Sequence, residues 1–421
     1  MRITIYSAII ALFAALTGCN TNIGEVTLTY NKATAVYGDL DEIRSASLIT
    51  PSREIEDPEK IFMGENMLLI GEKGLGIHVY DNNDPNNPTP RSFINLPFTD
   101  EFFVHKNFIY AVSHYDMVKI DVSNMAAPVI VDRELNAFAE PTMNDKGEAL
   151  IGFTYEVVTE TLKLNGPEAR ALKEESVLYF DYMNNMIPNS SIPSSFVGNG
   201  TSSGMGTLNR IALTNDHLYV ITGSSLLTFG NTPSDINLLD NRYIQSGMET
   251  VYEDDEKLFI GTETSMVIVD VSDGENPTVV STYWHPQSCD PVLPNGEIAY
   301  VTLRSAVDNG CFGEENVLTV VDISDLQDPR NINDIPMESP YGMCIQNDHL
   351  LVGEGENGIS IFDISSPSYP SNKMEFSHVV YDVIPHPTEE NRILGAGENG
   401  LSQYEVDYDN GSMTLISSIA F

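Results

Sequence analysis

The sequence predicts an all-β fold, a β-propeller of eight four-stranded blades, with seven as the alternative count. Three observations predict it. Short apolar segments rich in Val, Ile, Tyr and Phe recur along the chain, punctuated by Asn, Asp, Gly and Pro, as strands and turns require. Helical periodicity is nearly absent, Pro167 to Ser176 offering one short helical stretch. The apolar segments repeat at a period of about 41 residues, the length of one four-stranded blade.

The 421 residues carry 61 acidic and 21 basic side chains, a formal charge of −40. A field of that sign repels nucleic acid and anionic lipid, which excludes nucleic-acid binding and leaves cationic partners or metal ions compatible. A hydrophobic content of 42% fits a globular chain and argues against disorder.

In chain order, the first element is an address. Met1 and Arg2 precede an apolar stretch, Ile3 to Leu16, too short to span a membrane and suited to the core of a signal peptide. It ends in Leu16-Thr17-Gly18-Cys19, which resembles a bacterial lipobox. The resemblance implies a lipoprotein signal peptide over 1–18, cleavage before Cys19, and acylation of its sulfur and new amino terminus. Several acyl chains would anchor the chain firmly. Asn20, not an aspartate, follows the cysteine; in the enterobacterial sorting pattern this points to the outer membrane, with its periplasmic and surface faces both open. Residues 19–44 then read as a polar tether with one apolar patch, Val26 to Tyr30. Residues 45–56 read as an outer strand able to close a ring against the last repeat.

The repeats fill 45–421. Leu69-Ile70-Gly71-Glu72 matches Leu351-Val352-Gly353-Glu354. Asp-Val/Ile-Ser turns followed by a proline recur at Asp121 to Pro128, Asp270 to Pro277, Asp322 to Pro329 and Asp363 to Pro370. A hydrophobic anchor in the second strand of each copy sets the register: Leu69, Tyr110, Leu150, Tyr219, Phe259, Tyr300, Leu351 and Leu394. Longer steps after Leu150 and Tyr300 mark insertions, the larger running from Thr159 to Gly206 and ending in a Gly/Ser loop. The third copy lacks the Asp-Ile-Ser turn, which keeps seven blades open. Val267-Ile268-Val269-Asp270 and Val321-Asp322-Ile323-Ser324 resemble the LVIVD-repeat proteins, as does Cys289-Asp290-Pro291 with Ala299 to Arg304. That resemblance covers roughly residues 57 to 421 and implies a bacterial exported propeller without a settled activity.

Export permits disulfides. Cys289 and Cys311 form the better pair, joined by an irregular loop whose closure would contribute roughly 3 kcal/mol. Cys344 stands in an apolar strand and reads as a small core residue. No C-x-x-C pair or histidine at ligand spacing makes these cysteines a metal site.

Catalytic motifs are scarce. Gly200 to Gly204 matches G-x-S-x-G by letter but lacks the strand and helix a nucleophile elbow needs. Asp407 to Gly411 lacks the closing glutamate of a calcium loop and reads as a hairpin turn. The Asp of each Asp-Val/Ile-Ser turn is expected to bond amides of its own turn. His285, Arg304 and Tyr341 form a candidate ligand surface at one end of the ring. Ten residues before the anchors stand Glu59, Asp100, Glu140, Asn209, Glu249, Asp290 and Tyr341, with Asp382 as the equivalent in the last copy. Equal spacing predicts that Glu59, Asp100, Glu140, Glu249, Asp290 and Asp382 surround one channel mouth. Carboxylates so placed must be solvated, protonated or paired with a cation, and Ca²⁺ suits several carboxylate oxygens.

The reading is a lipid-anchored, exported binding or scaffold module for a protein or glycan of the cell envelope, tied to the membrane only through its lipid. The alternative is a hydrolase or lyase at the channel mouth, with carboxylates as acid and base.

Overall fold

Seven four-stranded antiparallel blades follow one another along the chain. The computed structural model describes residues 25–99, 101–163, 172, 197–198, 209–214, 216–287, 291–305, 315–398 and 400–421. The innermost strands of blades 1 to 7 are Pro58–Met63, Glu101–His105, Ile211–Leu213, Met248–Asp254, Val292–Asn295, Met343–Gln346 and Asp382–Pro385.

The count of eight fails at the third copy. Its anchor, Leu150, lies in a 15-residue strand, Ala149–Lys163, that pairs antiparallel with Glu25–Gly38 and sets Leu150 opposite Tyr37. Among the described residues this pair forms a two-stranded sheet of its own and not a blade. The chain forms two compact units, Met1–Ser45 with Glu140–Met186, and Ala46–Ala139 with Ile187–Phe421. In the first unit, Glu25–Gly38 leads into a short helix, Leu40–Arg44, capped by Asp39, whose Oδ1 accepts from the Asp41 amide at 2.8 Å. The segment expected to be a polar tether with one apolar patch over 19–44 holds the strand Glu25–Gly38. The inserted unit opens near Glu140 rather than Thr159, because the strand runs on through Thr159. The helix expected over 167–176 lies outside the described residues apart from Leu172.

The second unit is the propeller. Ile49–Pro51 adds a fifth strand to the outer edge of the first blade, Ile49 opposite Ile94, and not to the last blade. Val197–Gly198 lies parallel to the innermost strand of blade 1, opposite Lys60 and Ile61. The last blade draws all four strands from Asp382–Ala420, so among the described residues no shared strand locks the ring. Apolar packing joins blades 7 and 1 instead: Ile384, Leu394 and Leu401 bury against Ile61, Leu68 and Ile70. Asn82 and Gln403 add a reciprocal amide pair, at 3.0 and 2.8 Å. Asn82 holds the position that Val122, Val271, Ile323 and Ile364 hold in the other turns.

The turn aspartates bond as expected. Asp121, Asp270, Asp322 and Asp363 accept the amides of Ser123, Ser272, Ser324 and Ser365 at 2.8–2.9 Å. The Ser324 hydroxyl and amide hold Asp322 below the usual carboxylate range. The tyrosine anchors also tie each blade to the next. Tyr110 Oη donates to Asn231 Oδ1 at 3.1 Å, Tyr219 Oη to the Gly274 carbonyl at 3.2 Å, and Tyr300 Oη to the Pro367 carbonyl at 2.8 Å.

Candidate functional site

Strand pairing gives the true register of the innermost strands. Phe62, Phe103, Ala212, Tyr252, Leu293, Cys344 and Ile384 each stand opposite their blade's anchor. Two residues earlier come Lys60, Glu101, Arg210, Thr250, Pro291, Gly342 and Asp382. Blades 7, 1, 2 and 3 therefore contribute Asp382, Lys60, Glu101 and Arg210, alternating in sign around the ring. All four are buried, with exposures of 0%, 2%, 4% and 7%.

Lys60 Nζ lies 2.5 Å from Glu101 Oε1. Lys60 also feels Arg210 and Asp382, and Arg210 feels Glu101, Glu249 and Glu59. Glu59 is paired with Lys73 Nζ at 2.7 Å. Burial pulls Lys60 down to about 8, with Glu101 opposing it, and burial likewise lowers Arg210. Gly342 makes room for the layer: a Cβ there would lie 1.8 Å from Asp382 Oδ1.

The carboxylate ring expected from spacing is thus an alternating ionic layer. Glu140 belongs to the inserted unit, where it is exposed, and is no member of the ring. Asp100 and Asp290 lie outside the described residues. Glu59 and Glu249 begin their strands beside Arg210. Asp382 is one position beyond the equivalent of Glu59, because the first turn of blade 7 is three residues longer than in the other blades and the spacing allowed for two. The equivalent of Tyr341 is Tyr381, and the two rings meet edge-on at 4.9 Å. Among the described residues, no group of three or more His, Cys, Asp or Glu is placed to hold a metal ion, so the calcium reading of the ring finds no support there. Lys60, Glu101 and Arg210 were missed because only one position per strand was compared; they are the residues that follow Glu59, Asp100 and Asn209.

Arg304 and Tyr341 are brought together. The Arg304 guanidinium carbon lies 4.0 Å from the Tyr341 ring centroid, and Thr302 Oγ1 donates to the Tyr341 carbonyl at 3.0 Å. Arg304 is 2% exposed. His285 Nδ1 lies 2.8 Å from the Pro286 carbonyl and its ring 6.3 Å from that of Tyr283. Cys19, Cys289 and Cys311 lie outside the described residues, so neither the lipid site nor the disulfide is seen. Cys344 is free and buried, and burial raises its thiol well above the ordinary value.

Two further buried carboxylates are structural. Glu72 accepts from the amides of Glu56 and Asp57 and lies 2.8 Å from His78 Nε2. Glu354, at the matching place in the repeated Gly-Glu motif, accepts from the Glu338 amide at 2.7 Å and from the Ser360 hydroxyl. Each fixes the segment that leads into its blade's innermost strand. Burial lowers His78, with Glu72 opposing that shift.

The LVIVD repeat matches residues 99–134, 258–284, 311–332 and 343–377, which cover blades 2 and 6 and parts of blades 4 and 5. The chain carries LVIVD repeats. Solved structures share the fold that these repeats build here. A putative 6-phosphogluconolactonase from Bacteroides fragilis superposes with a TM-score of 0.50 at 11% identity, over 88% of this chain and 97% of that chain. Another from Bacteroides uniformis gives 0.51 at 12%, over 87% and 97%. A functionally unknown protein from Desulfotomaculum acetoxidans gives 0.51 at 8%, over 83% and 95%. Identities this low speak to fold alone. No curated protein matches the sequence.

Proposed function

We propose that the chain is an exported, lipid-anchored binding module whose ligand docks where the innermost strands begin. The observation that supports this most is the compensated ionic layer beside the Arg304–Tyr341–Tyr381 cluster. Each described carboxylate in it has a basic neighbour: Lys73 for Glu59, Lys60 for Glu101 and Asp382, Arg210 for Glu249. Such charges are fixed in place and offer oriented donors and acceptors, while an aromatic step offers ring faces. That combination suits a polar ligand of low net charge, a glycan or protein segment of the cell envelope. Acylated Cys19 would hold the module at the outer membrane. The test is affinity capture from native membranes with wild-type protein and with Arg304→Met and Tyr341→Ala variants. A ligand retained by the wild type and lost by both folded variants supports the reading; identical capture profiles overturn it. Cys19→Ser should move the protein to the soluble fraction, and continued membrane association of that variant would remove the lipid anchor from the proposal.

Lys60 favours a second reading, a hydrolase. A buried amine near 8 is in the working range of a proton acceptor. Fold likeness to putative 6-phosphogluconolactonases makes sugar lactones the substrates to try. Lactone hydrolysis that disappears in a folded Lys60→Met variant would establish it; no hydrolysis by the wild type would exclude these substrates.

A further inference from the structure

Four of the blade-to-blade contacts are fastened by one rule, whereas between blades 2 and 3 Tyr110 reaches the Asn231 side chain instead. In the Asp-Val/Ile-Ser turns, the carbonyl of the fourth residue after the Asp accepts a hydrogen bond from the preceding blade. Gly274 and Pro367 receive it from the anchors Tyr219 and Tyr300. Where blade 4 has Phe259 as anchor, Ser281 Oγ reaches the corresponding Leu326 carbonyl at 2.6 Å. Where blade 7 has Leu394, Gln403 Nε2 reaches the corresponding Pro85 carbonyl at 3.2 Å. The matching residue in blade 2 is Met125, and the anchor facing it from blade 1 is Leu69, which carries no donor. Among the described residues, no side chain of blade 1 substitutes for it.

A cavity of about 440 Å³ lies at that place, with Met67, Val79, Tyr80, Ser92, Met125 and Ala126 on its walls and Asn66, Asn83 and the Asp81–Arg91 ion pair also lining it. Leu69, Val79 and Ser92 form one cross-strand row, Leu69 opposite Val79 and Val79 opposite Ser92. In blade 3 the same row is Tyr219, Thr228 and Asp240, and there the tyrosine ring occupies the space. The gap between blades 6 and 7, also anchored by a leucine, differs in kind. Its cavity of about 600 Å³ is lined by acidic residues, Asp348, Glu405 and Asp407 among them, and Tyr408 enters it to stack on His349 at 4.2 Å.

We propose that the cavity between blades 1 and 2 binds a p-hydroxyphenyl group in the place of the missing tyrosine. The ring would lie between Met67, Val79 and Met125, thioethers and methyls that pack well on an aromatic face. The hydroxyl would donate to the Met125 carbonyl, as Tyr219 and Tyr300 do to their counterparts. The group can arrive as a free aryl alcohol or as a tyrosyl side chain of a polypeptide. The site is separate from the ionic layer and does not depend on the function assigned to that layer.

The test follows the methyl resonances of Met67 and Met125 by NMR in the full propeller, with p-cresol, N-acetyl-tyrosinamide and toluene as probes. Saturable shifts with p-cresol alone assign free aryl alcohols; shifts with N-acetyl-tyrosinamide as well assign a tyrosyl ligand. Toluene, which lacks the donor, should bind about fivefold more weakly, the worth of one hydrogen bond. Leu69→Tyr should fill the cavity, raise Tm and abolish the shifts. Ala126→Trp should block the mouth from an exposed position without crowding the core, which keeps the test decisive if Leu69→Tyr folds poorly. Unmoved methyl resonances with both hydroxyl probes overturn the proposal. So does toluene binding equal to p-cresol, or shifts that persist in a folded Ala126→Trp variant.

Discussion

The outer turns and the innermost strands of this propeller both display aspartates and glutamates at regular spacing, yet they use them in opposite ways. An outer-turn carboxylate such as Asp322 bonds the amide and hydroxyl of Ser324, two residues away, and stays in water. An inner carboxylate such as Glu101 is buried and bonds Lys60 of the neighbouring blade. The first needs only its own turn to form. The second exists only when the ring is assembled, and its desolvation has to be offset by a partner distant in sequence. A repeated acidic residue therefore carries no fixed meaning; its neighbours in space assign it.

The largest effect should come from breaking the inner layer. Lys60→Met leaves Glu101 buried without its ion-pair partner and should cost about 3–5 kcal/mol in urea unfolding. Lys60→Met with Glu101→Leu should recover most of that loss, since the two charges leave together. A double variant no more stable than the single one would mean that the layer depends on other contacts.

The same pair sets a pH dependence. Lys60 has its folded value lowered from 10.5 to about 8, so the unfolded chain binds its proton more tightly. Its stability contribution is full above 10.5, falls as pH drops toward 8, and is level below that. Tyrosines also titrate in this range, so the quantity to measure is the wild type minus the double variant. A flat difference between pH 8 and 10.5 would contradict the burial that lowers Lys60.

A smaller effect is expected at the seam between blades 7 and 1. Gln403→Leu strands the buried Asn82 amide and should cost about 1–3 kcal/mol. Adding Asn82→Val, the residue type found at the equivalent turn positions, should restore stability. If it does not, the seam is held by Gln403 through Pro85 rather than through Asn82.

The outer turns should give the least. Asp322→Ala removes one exposed turn cap, and its loss in urea should be smaller than either of the others. Asp121, Asp270 and Asp322 have lowered folded values, so their contribution is present above the ordinary carboxylate range and lost as pH falls through it. Acid unfolding of the wild type should accordingly begin below about pH 4, and Asp322→Ala should blunt its early part. An Asp322→Ala loss as large as that of Gln403→Leu would erase the contrast between turn and core.

Local features were legible because their partners are near in sequence. The turn pattern from Asp121 to Pro128 and its copies announced strand, turn and strand, and the anchors Tyr110, Tyr219 and Tyr300 marked the second strands. Leu150 misled because an apolar residue in an alternating strand looks the same whether it joins a blade or pairs with Glu25–Gly38. The ionic layer was legible only in part: Asp382 stood out by spacing, while Lys60, Glu101 and Arg210 sat one residue beyond Glu59, Asp100 and Asn209. Spacing from an anchor locates a strand start to within one residue, and in a strand one residue exchanges the two faces.

By itself the sequence determined the class of fold, the blade period, the turn chemistry and the strongly acidic surface. Each of these depends on residues within one repeat, where hydrogen bonds and alternation act over a few positions. Tertiary structure alone decided that the blades number seven, that Ile49–Pro51 joins the first blade, and that Asp382, Lys60, Glu101 and Arg210 meet in one layer. Those outcomes depend on contacts between blades far apart in the chain. Their energies come from burial and charge pairing that no single repeat contains, so no single repeat can reveal them.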